Sequence, residues 1–509
     1  MRSKNSINNA LVNLIGQVLL LFAQFLARLY FVKLLGDTCN SLNGLFTNIL
    51  SFLSVAELGI GNTTCFAMYK SLAENDYNKT NQYLVLFKRI YRYIGLIILA
   101  LGLAVMPFLK SLVGSENMIP HVYLIYGLFL LKSCLTYWLF SYRSTLIEAD
   151  QKKYLIQRYS YLFDLVSIAL QIASLFIFKS FLIYISIALV FVVANNLFVG
   201  WYVKRRYKFI SEKPTEKLSK DEIKVFAKNI YGSSLYKFSG AVYDAVDSIV
   251  IAASSLSFLI VGYYSNYMLA FFALSTIAKR IINSSTASIG NFNVLEKRNN
   301  MIDLFKSICF LDFWIYGVFA VCAICLINPF VRIFFTSRSI IDFEVVVLIV
   351  ISFITSGFNN PTLIFRDACG LFYKGRFRPV FSALLNIALS FALVYPLGLT
   401  GIILATVIAN LLTSYWYDPM LIYKNVFYKK PFKYYGMYIF GCIFVCAVGA
   451  PLYYLSTFLS INNIFVWISY GLAFFVVVNC IFVLCFFKTK EFKYLFSKIK
   501  LFFNKKRAK

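Results

Sequence analysis

Fourteen separate runs of mostly apolar residues, each long enough to cross a bilayer, govern what this chain can fold into. A helix needs about 20 such residues to traverse the hydrocarbon. Inside lipid every backbone polar group must be satisfied within the element itself, which leaves the α-helix as the structure for runs of this length. The runs lie near residues 9–35, 41–67, 90–109, 120–142, 154–178, 181–203, 230–253, 257–278, 308–331, 344–365, 377–396, 399–423, 434–456 and 463–487. The fold class they imply is an all-α integral membrane protein of about 14 transmembrane helices.

Charge tests that layout. The chain is 60% hydrophobic yet has a formal charge of +28, from 50 Lys and Arg against 22 Asp and Glu. Numbering the loops alternately puts about 42 of the basic residues on one side. Only about five (Lys33, Lys110, Lys179, Arg332 and Arg338) fall on the other, with about three inside helices (Arg28, Lys132 and Lys237). Cytoplasmic loops hold the positive excess, so both termini are expected in the cytoplasm, and a missed or invented helix would have scrambled the alternation. The basic start followed by an apolar run has the outline of a secretory signal. That run is too long, carries Arg28 and lacks a small-residue cleavage site, so it is assigned as the first span.

The longest loop, 204–228, divides the chain. It contains Pro214, and then Ser219 with Glu222 three residues on, a capping-box pattern that opens a short helix leading into the seventh span. The expected organisation is a six-helix lobe at 1–203, a cytoplasmic linker at 204–228, a second six-helix lobe at 229–424, two extra helices within 425–487 and a basic tail at 488–509. Pro107 recurs as Pro329, Arg143 as Arg366, Lys152 as Lys374, and Asp164 aligns with Asn386, all at offsets of 222 or 223. Repeats of six helices must run parallel across the membrane, and such repeats build transporters with a central site between two lobes.

Ionisable residues within the spans carry most of the chemical information: Arg28, Glu57, Lys132, Asp164, Lys237, Asp244, Asp247 and Asp312. At roughly 3 kcal/mol each on the insertion scale, facing lipid would cost together more than an ordinary folding stability. They are therefore expected to face protein or water. Asn13, Gln17, Gln24 and Arg28 share one face of the first span, and Lys237, Asp244 and Asp247 share one face of the seventh. Such stripes can simply fix helix packing through hydrogen bonds and ion pairs, the reading given to Asp312 near its helix end. Taken together they suit a hydrated cavity lined by Arg28, Glu57, Lys132, Asp164, Lys237, Asp244 and Asp247. Its basic members fit an anionic substrate such as a phosphate or diphosphate. Asp244 and Asp247, with Asn386 from the repeat, are candidate holders of a coupling cation, H+ or Na+.

The remaining signals are structural. Most of the 11 cysteines lie inside apolar runs and are expected as small buried hydrophobes, and Cys322 and Cys325 form a mid-membrane CxxC with no second pair or nearby histidine to complete a metal site. His121, the single histidine, stands at an expected helix end. Glycines in the segment Ala56–Gly61 fit close packing or a bend rather than a nucleotide turn. No Walker A, HExxH or GxSxG sequence occurs, so no enzyme activity and no cofactor are expected. The tail from Lys488 alternates Lys with Phe492, Leu495, Phe496, Ile499, Phe502 and Phe503, the pattern of an amphipathic helix on an anionic leaflet.

The short basic start, the Arg28 helix ending in LLG at Leu34–Gly36, AELGIG at Ala56–Gly61, the Arg143–Tyr154 segment ending in EADQKKY, and VGYYSNY at Val261–Tyr267 together resemble the polysaccharide repeat-unit flippases of the Wzx type. These belong to the multidrug, oligosaccharidyl-lipid and polysaccharide exporter superfamily. The resemblance covers essentially the whole chain. It implies a two-lobed transporter that moves undecaprenyl diphosphate-linked oligosaccharides to the outer face of a bacterial plasma membrane by alternating access, for surface polysaccharide biosynthesis. The lobe-lining charges would bind the diphosphate and sugar, and the last two spans would match the polyprenyl-tail groove of the similar lipid II flippases by position. Three other roles compete: a cation-coupled exporter of small amphiphiles, a membrane-embedded polymerase or acyltransferase, and a scaffold that recruits polysaccharide-synthesis enzymes.

Overall fold

The computed structural model describes residues 2–54, 60–114, 118–212, 214, 218–254, 256–283, 298–369, 371 and 374–497, some of them, including 2–11 and 232–245, by backbone alone. Helices dominate, and no strand occurs among the described residues.

Among the described residues, eleven helices are long and apolar enough to cross a membrane. Two of these, Ile15–Leu53 at 39 residues and Arg378–Phe427 at 50, are too long for one crossing. Each is broken at a glycine: Gly36 at φ 82°, ψ 177° and Gly398 at φ 58°, ψ −137°. Both dihedral pairs lie where a Cβ is not tolerated, so glycine is what lets the chain interrupt one span and begin the next. Each long helix thus supplies two crossings. Lys220–Ala253, too polar to qualify by hydropathy, supplies another. The count of about 14 read from the sequence is borne out, and a surface studded with large apolar side chains such as Phe465 (79% exposed) and Tyr395 (76%) requires lipid around it.

The chain forms two compact units, residues 1–262 and 263–509. The first unit contains α1 (Arg2–Leu53), α2 (Ile60–Ala73), α3 (Tyr77–Val105), α4 (Val122–Trp138), α5 (Tyr154–Phe178), α6 (Phe181–Arg206) and α7 (Lys220–Ala253). His121 stands at the N-cap of α4 with a left-handed φ of 60°, as its expected place at a helix end implied. The helix α1 lies along α5, where a Cβ at Gly16 would fall 2.1 Å from the Tyr161 ring, so the small residue sets the approach of the two helices. The capping box expected at Ser219 is present: Ser219 N donates to Glu222 Oε2 (3.0 Å) and Glu222 N to Ser219 Oγ (3.2 Å). It opens the continuous 34-residue α7 rather than the short helix expected. This helix is fixed to the other helices of its unit at both ends, by the ion pair between Glu222 and Lys79 and by a hydrogen bond from Asn48 Nδ2 to Ser248 Oγ (2.7 Å). Just beyond it, Asn40 Nδ2 donates to the Gly262 carbonyl (3.1 Å) and Gly262 N to Ser41 Oγ (3.1 Å).

The helix α8 (Leu259–Asn283) runs across the boundary between the units. The second unit continues with α9 (Arg298–Phe334), α10 (Phe343–Phe358), α11 (Asn360–Ala368), α12 (Arg378–Leu412), α13 (Ser414–Ile422), α14 (Phe432–Thr457) and α15 (Ile464–Phe486). Here α9 is the central element, packed against α10, α14 and α15. The last span is pinned to it by Trp314, whose Nε1 donates to Asn479 Oδ1 (3.0 Å) and whose ring stacks on Phe482 at 6.0 Å. The tail begins as a helix over 490–497, with Phe492 stacked on the same indole at 5.6 Å; residues 498–509 lie outside the described ones.

The repeat pairs occupy matched places. Pro107 and Pro329 fall at the ends of the third and ninth spans, and Arg143 and Arg366 in the short helical segments after the fourth and tenth. Asp164 lies in the fifth span and Asn386 in the eleventh. Two expectations need correction. Cys446, Cys480 and Cys485 are exposed on the outer face of α14 and α15 rather than buried in protein, because a small apolar thiol is as acceptable to lipid as to a core. Asp312 is not near a helix end: α9 begins at Arg298, so Asp312 lies about four turns inside it.

Candidate functional site

In the first unit, α4 and α5 bring Lys132 and Asp164 within electrostatic range of each other, and α1 and α6 do the same for Arg28 and Tyr184. A chain of aromatic rings joins the two cations. Tyr184 meets Phe31 edge-on at 4.9 Å, Phe31 meets Phe181 at 5.0 Å, and Phe181 meets Phe129 at 6.0 Å. Lys132 Nζ lies over the Phe129 ring, 5.4 Å from its centroid, where the face of the ring attracts a cation. Helical spacing explains the arrangement locally: Arg28 stands three residues before Phe31 and Lys132 three after Phe129, so each cation projects from the same helical face as its ring. Arg28 and Lys132 are part-buried beside the aromatic wall.

This arrangement offers two cationic donors for an anionic group and flat rings for an apolar or sugar face, with Asp164 balancing one charge. The polar stripe of the first span is divided between two tasks. Asn13 Oδ1 accepts from Tyr161 Oη (3.4 Å) in the helix packing, whereas Arg28 belongs to the cluster.

The other sequence candidates fall elsewhere. Asp247 is buried in α7, beside Ser248 with its bond to Asn48. Asn386, fully buried in the second unit, donates from Nδ2 to Thr406 Oγ1 (2.8 Å) across the two spans that α12 contains. Glu57 and the side chains of Lys237 and Asp244 lie outside the described residues.

Two features of the second unit have no counterpart in the sequence reading. Asp418, 1% exposed, forms an ion pair with Arg378 (Nη2 to Oδ2, 2.8 Å) and accepts from Asn359 Nδ2 (3.1 Å), while Arg378 Nη1 donates to Ser414 Oγ (2.7 Å). The partners are 40 positions apart on different helices, and no spacing rule links them. Asp312 is recognisable in the sequence as a charge within a span, but the set of groups around it comes from four other helices and only becomes visible in three dimensions. No group of three or more His, Cys, Asp or Glu side chains able to hold a metal occurs among the described residues.

No protein-family model and no curated protein matches the sequence. Solved structures do. An inward-facing multidrug resistance MATE family transporter of the MOP superfamily superposes with a TM-score of 0.62 at 16% identity, over 86% of this chain and 98% of that one. The lipid II flippase MurJ in an inward closed conformation gives 0.58 at 15% identity, over 92% and 100%.

The chain has the fold of the MOP-superfamily transporters. An outward-facing MATE transporter gives 0.56 at 14% identity, over 88% and 96%, so members in different conformations share the likeness. The fold that the sequence motifs implied is therefore borne out. Within this MOP fold the cations and rings described above occupy the first unit, and the Arg378–Asp418 pair and Asp312 the second.

Proposed function

We propose that this protein is a flippase that moves a lipid-linked oligosaccharide, of the undecaprenyl diphosphate type, across the bacterial plasma membrane by alternating access, for assembly of a surface polysaccharide. The observation that carries the reading is the grouping of Arg28 and Lys132 along a continuous aromatic wall in the first unit. Two fixed cations suit a diphosphate, and the rings suit the apolar faces of sugars. Lys237, Asp244, Asp247 and Glu57 would extend that lining. The last two spans, packed on α9 in the second unit, provide an apolar surface for a polyprenyl chain, and the flippase match covers more of this chain (92%) than the exporter matches (86% and 88%). The protein would act as a transporter rather than an enzyme, with its termini in the cytoplasm, as the basic-residue bias argues.

Reconstitution into liposomes with a defined undecaprenyl diphosphate oligosaccharide tests this directly. Translocation should require the protein and should collapse on neutralising Arg28 and Lys132. A second reading, cation-coupled export of small amphiphiles, draws on the TM-score of 0.62 with a multidrug exporter. A deletion strain that gains drug sensitivity while keeping normal surface polysaccharide would favour export over flipping.

A further inference from the structure

Asp312 lies about four turns into α9, 1% exposed, and both of its carboxyl oxygens are buried without a hydrogen bond among the described residues. The groups that face it come from every side. Cys309 and Tyr316 share its helix, Lys279 comes from α8, Asn360 from α11, Tyr415 from α13 and Tyr434 from α14. The nearby donors also serve other groups: Asn360 Nδ2 donates to Tyr316 Oη (2.9 Å) and Tyr434 Oη to the Phe358 carbonyl (3.2 Å). Tyr415 Oη is also buried and bonded to nothing among the described residues. Lys279 is exposed and, although it feels the carboxyl electrostatically, forms no ion pair with it.

A carboxylate ion in this position would be buried without an ion pair, offset only by the Asn360 amide and the distant Lys279 ammonium among the described residues, a situation that costs several kcal/mol. A metal ion would relieve it only with several oxygen ligands, and the other buried carboxylate described in this unit, Asp418, is already paired with Arg378. A single proton removes the charge, the largest part of that cost, by forming one O–H bond.

We propose that Asp312 is a proton-binding site, carrying a proton in this conformation and releasing it only when a rearrangement of the second unit brings water or the Lys279 ammonium to the carboxyl. On release the O–H bond breaks, the proton passes to water, and the remaining carboxylate is stabilised by Lys279. Conformation and protonation are then linked, so each pH unit can shift the balance between the two conformations by up to about tenfold. Only the consequence for transport, a translocation rate that responds to a pH gradient, rests on the flippase reading; the site itself does not.

Infrared spectroscopy of the full-length protein in lipid tests the site without any substrate. At neutral pH the wild type should show a protonated-carboxyl stretching band that is lost in Asp312→Asn and retained, but shifted in frequency, in Asp312→Glu. Should Asp312→Asn not fold, the shift in Asp312→Glu identifies the same group. Indistinguishable carboxyl bands in wild type and both variants would overturn the proposal. A band that behaves as expected in a protein that fails to translocate any lipid-linked oligosaccharide would uphold the proton site and reject the flippase.

Discussion

Replacing Arg378 by Met removes the only cation paired with Asp418 among the described residues and leaves the carboxylate with the single amide of Asn359 as donor, at 1% exposure. Breaking a buried pair from one side costs about 3–5 kcal/mol, because the remaining ion stays desolvated. A loss of about 4 kcal/mol lowers Tm by on the order of 10 °C for a unit of this size. Removing both partners, as Arg378→Met with Asp418→Leu, should recover most of the loss, since a neutral pair leaves no orphaned ion. Intrinsic fluorescence of the detergent-solubilised protein during heating measures all three variants. A single-variant Tm within a degree of wild type, or losses that add in the double variant, would refute the buried-pair reasoning.

Arg28→Ala and Lys132→Ala should each slow translocation in proteoliposomes by about ten- to a hundredfold, the value of a charge-assisted hydrogen bond, with Tm little changed; unaltered rates would remove these residues from the site. Gly16→Leu drives a side chain into the Tyr161 ring and should lower the yield of folded, monodisperse protein, whereas Gly36→Leu should be disfavoured by backbone strain alone, since no atom stands within 4 Å of a Cβ there. Ser219→Ala should loosen the first turn of α7 by about 1 kcal/mol, read as faster amide exchange over 219–223. The Lys79 ammonium beside Glu222 holds that carboxyl below its usual range, so the junction keeps its ionic support above the ordinary carboxyl range and loses it as pH falls through the lowered value. Exchange at 219–223 should therefore accelerate in acid in the wild type and respond less in Lys79→Met.

The number and order of spans were legible because lipid forces each crossing to announce itself as a run of apolar residues. Even the breaks at Gly36 and Gly398 fell between runs that the sequence already separated. Helix extensions beyond the hydrocarbon were not legible. Residues 298–307 are polar enough to look like a loop, yet they continue α9 and move Asp312 from the end of a helix to its interior. Spans that are apolar all round, such as α15, do not reveal which face meets protein, which is why Cys480 and Cys485 were misplaced. Long-range pairing escaped for a different reason: nothing in the sequence ties Arg378 to Asp418, whereas Arg28 and Lys132 were conspicuous as isolated charges within spans.

The fastenings at the start and finish of α7 have a mechanical consequence. A rod of 34 helical residues is about 50 Å long, and this one is held near its start by Lys79 and near its finish by Asn48. A beam supported at both ends cannot swing; it can only flex. Although the sequence reading makes this helix the opening member of the second lobe, it belongs to the first compact unit and is tied to it along its length.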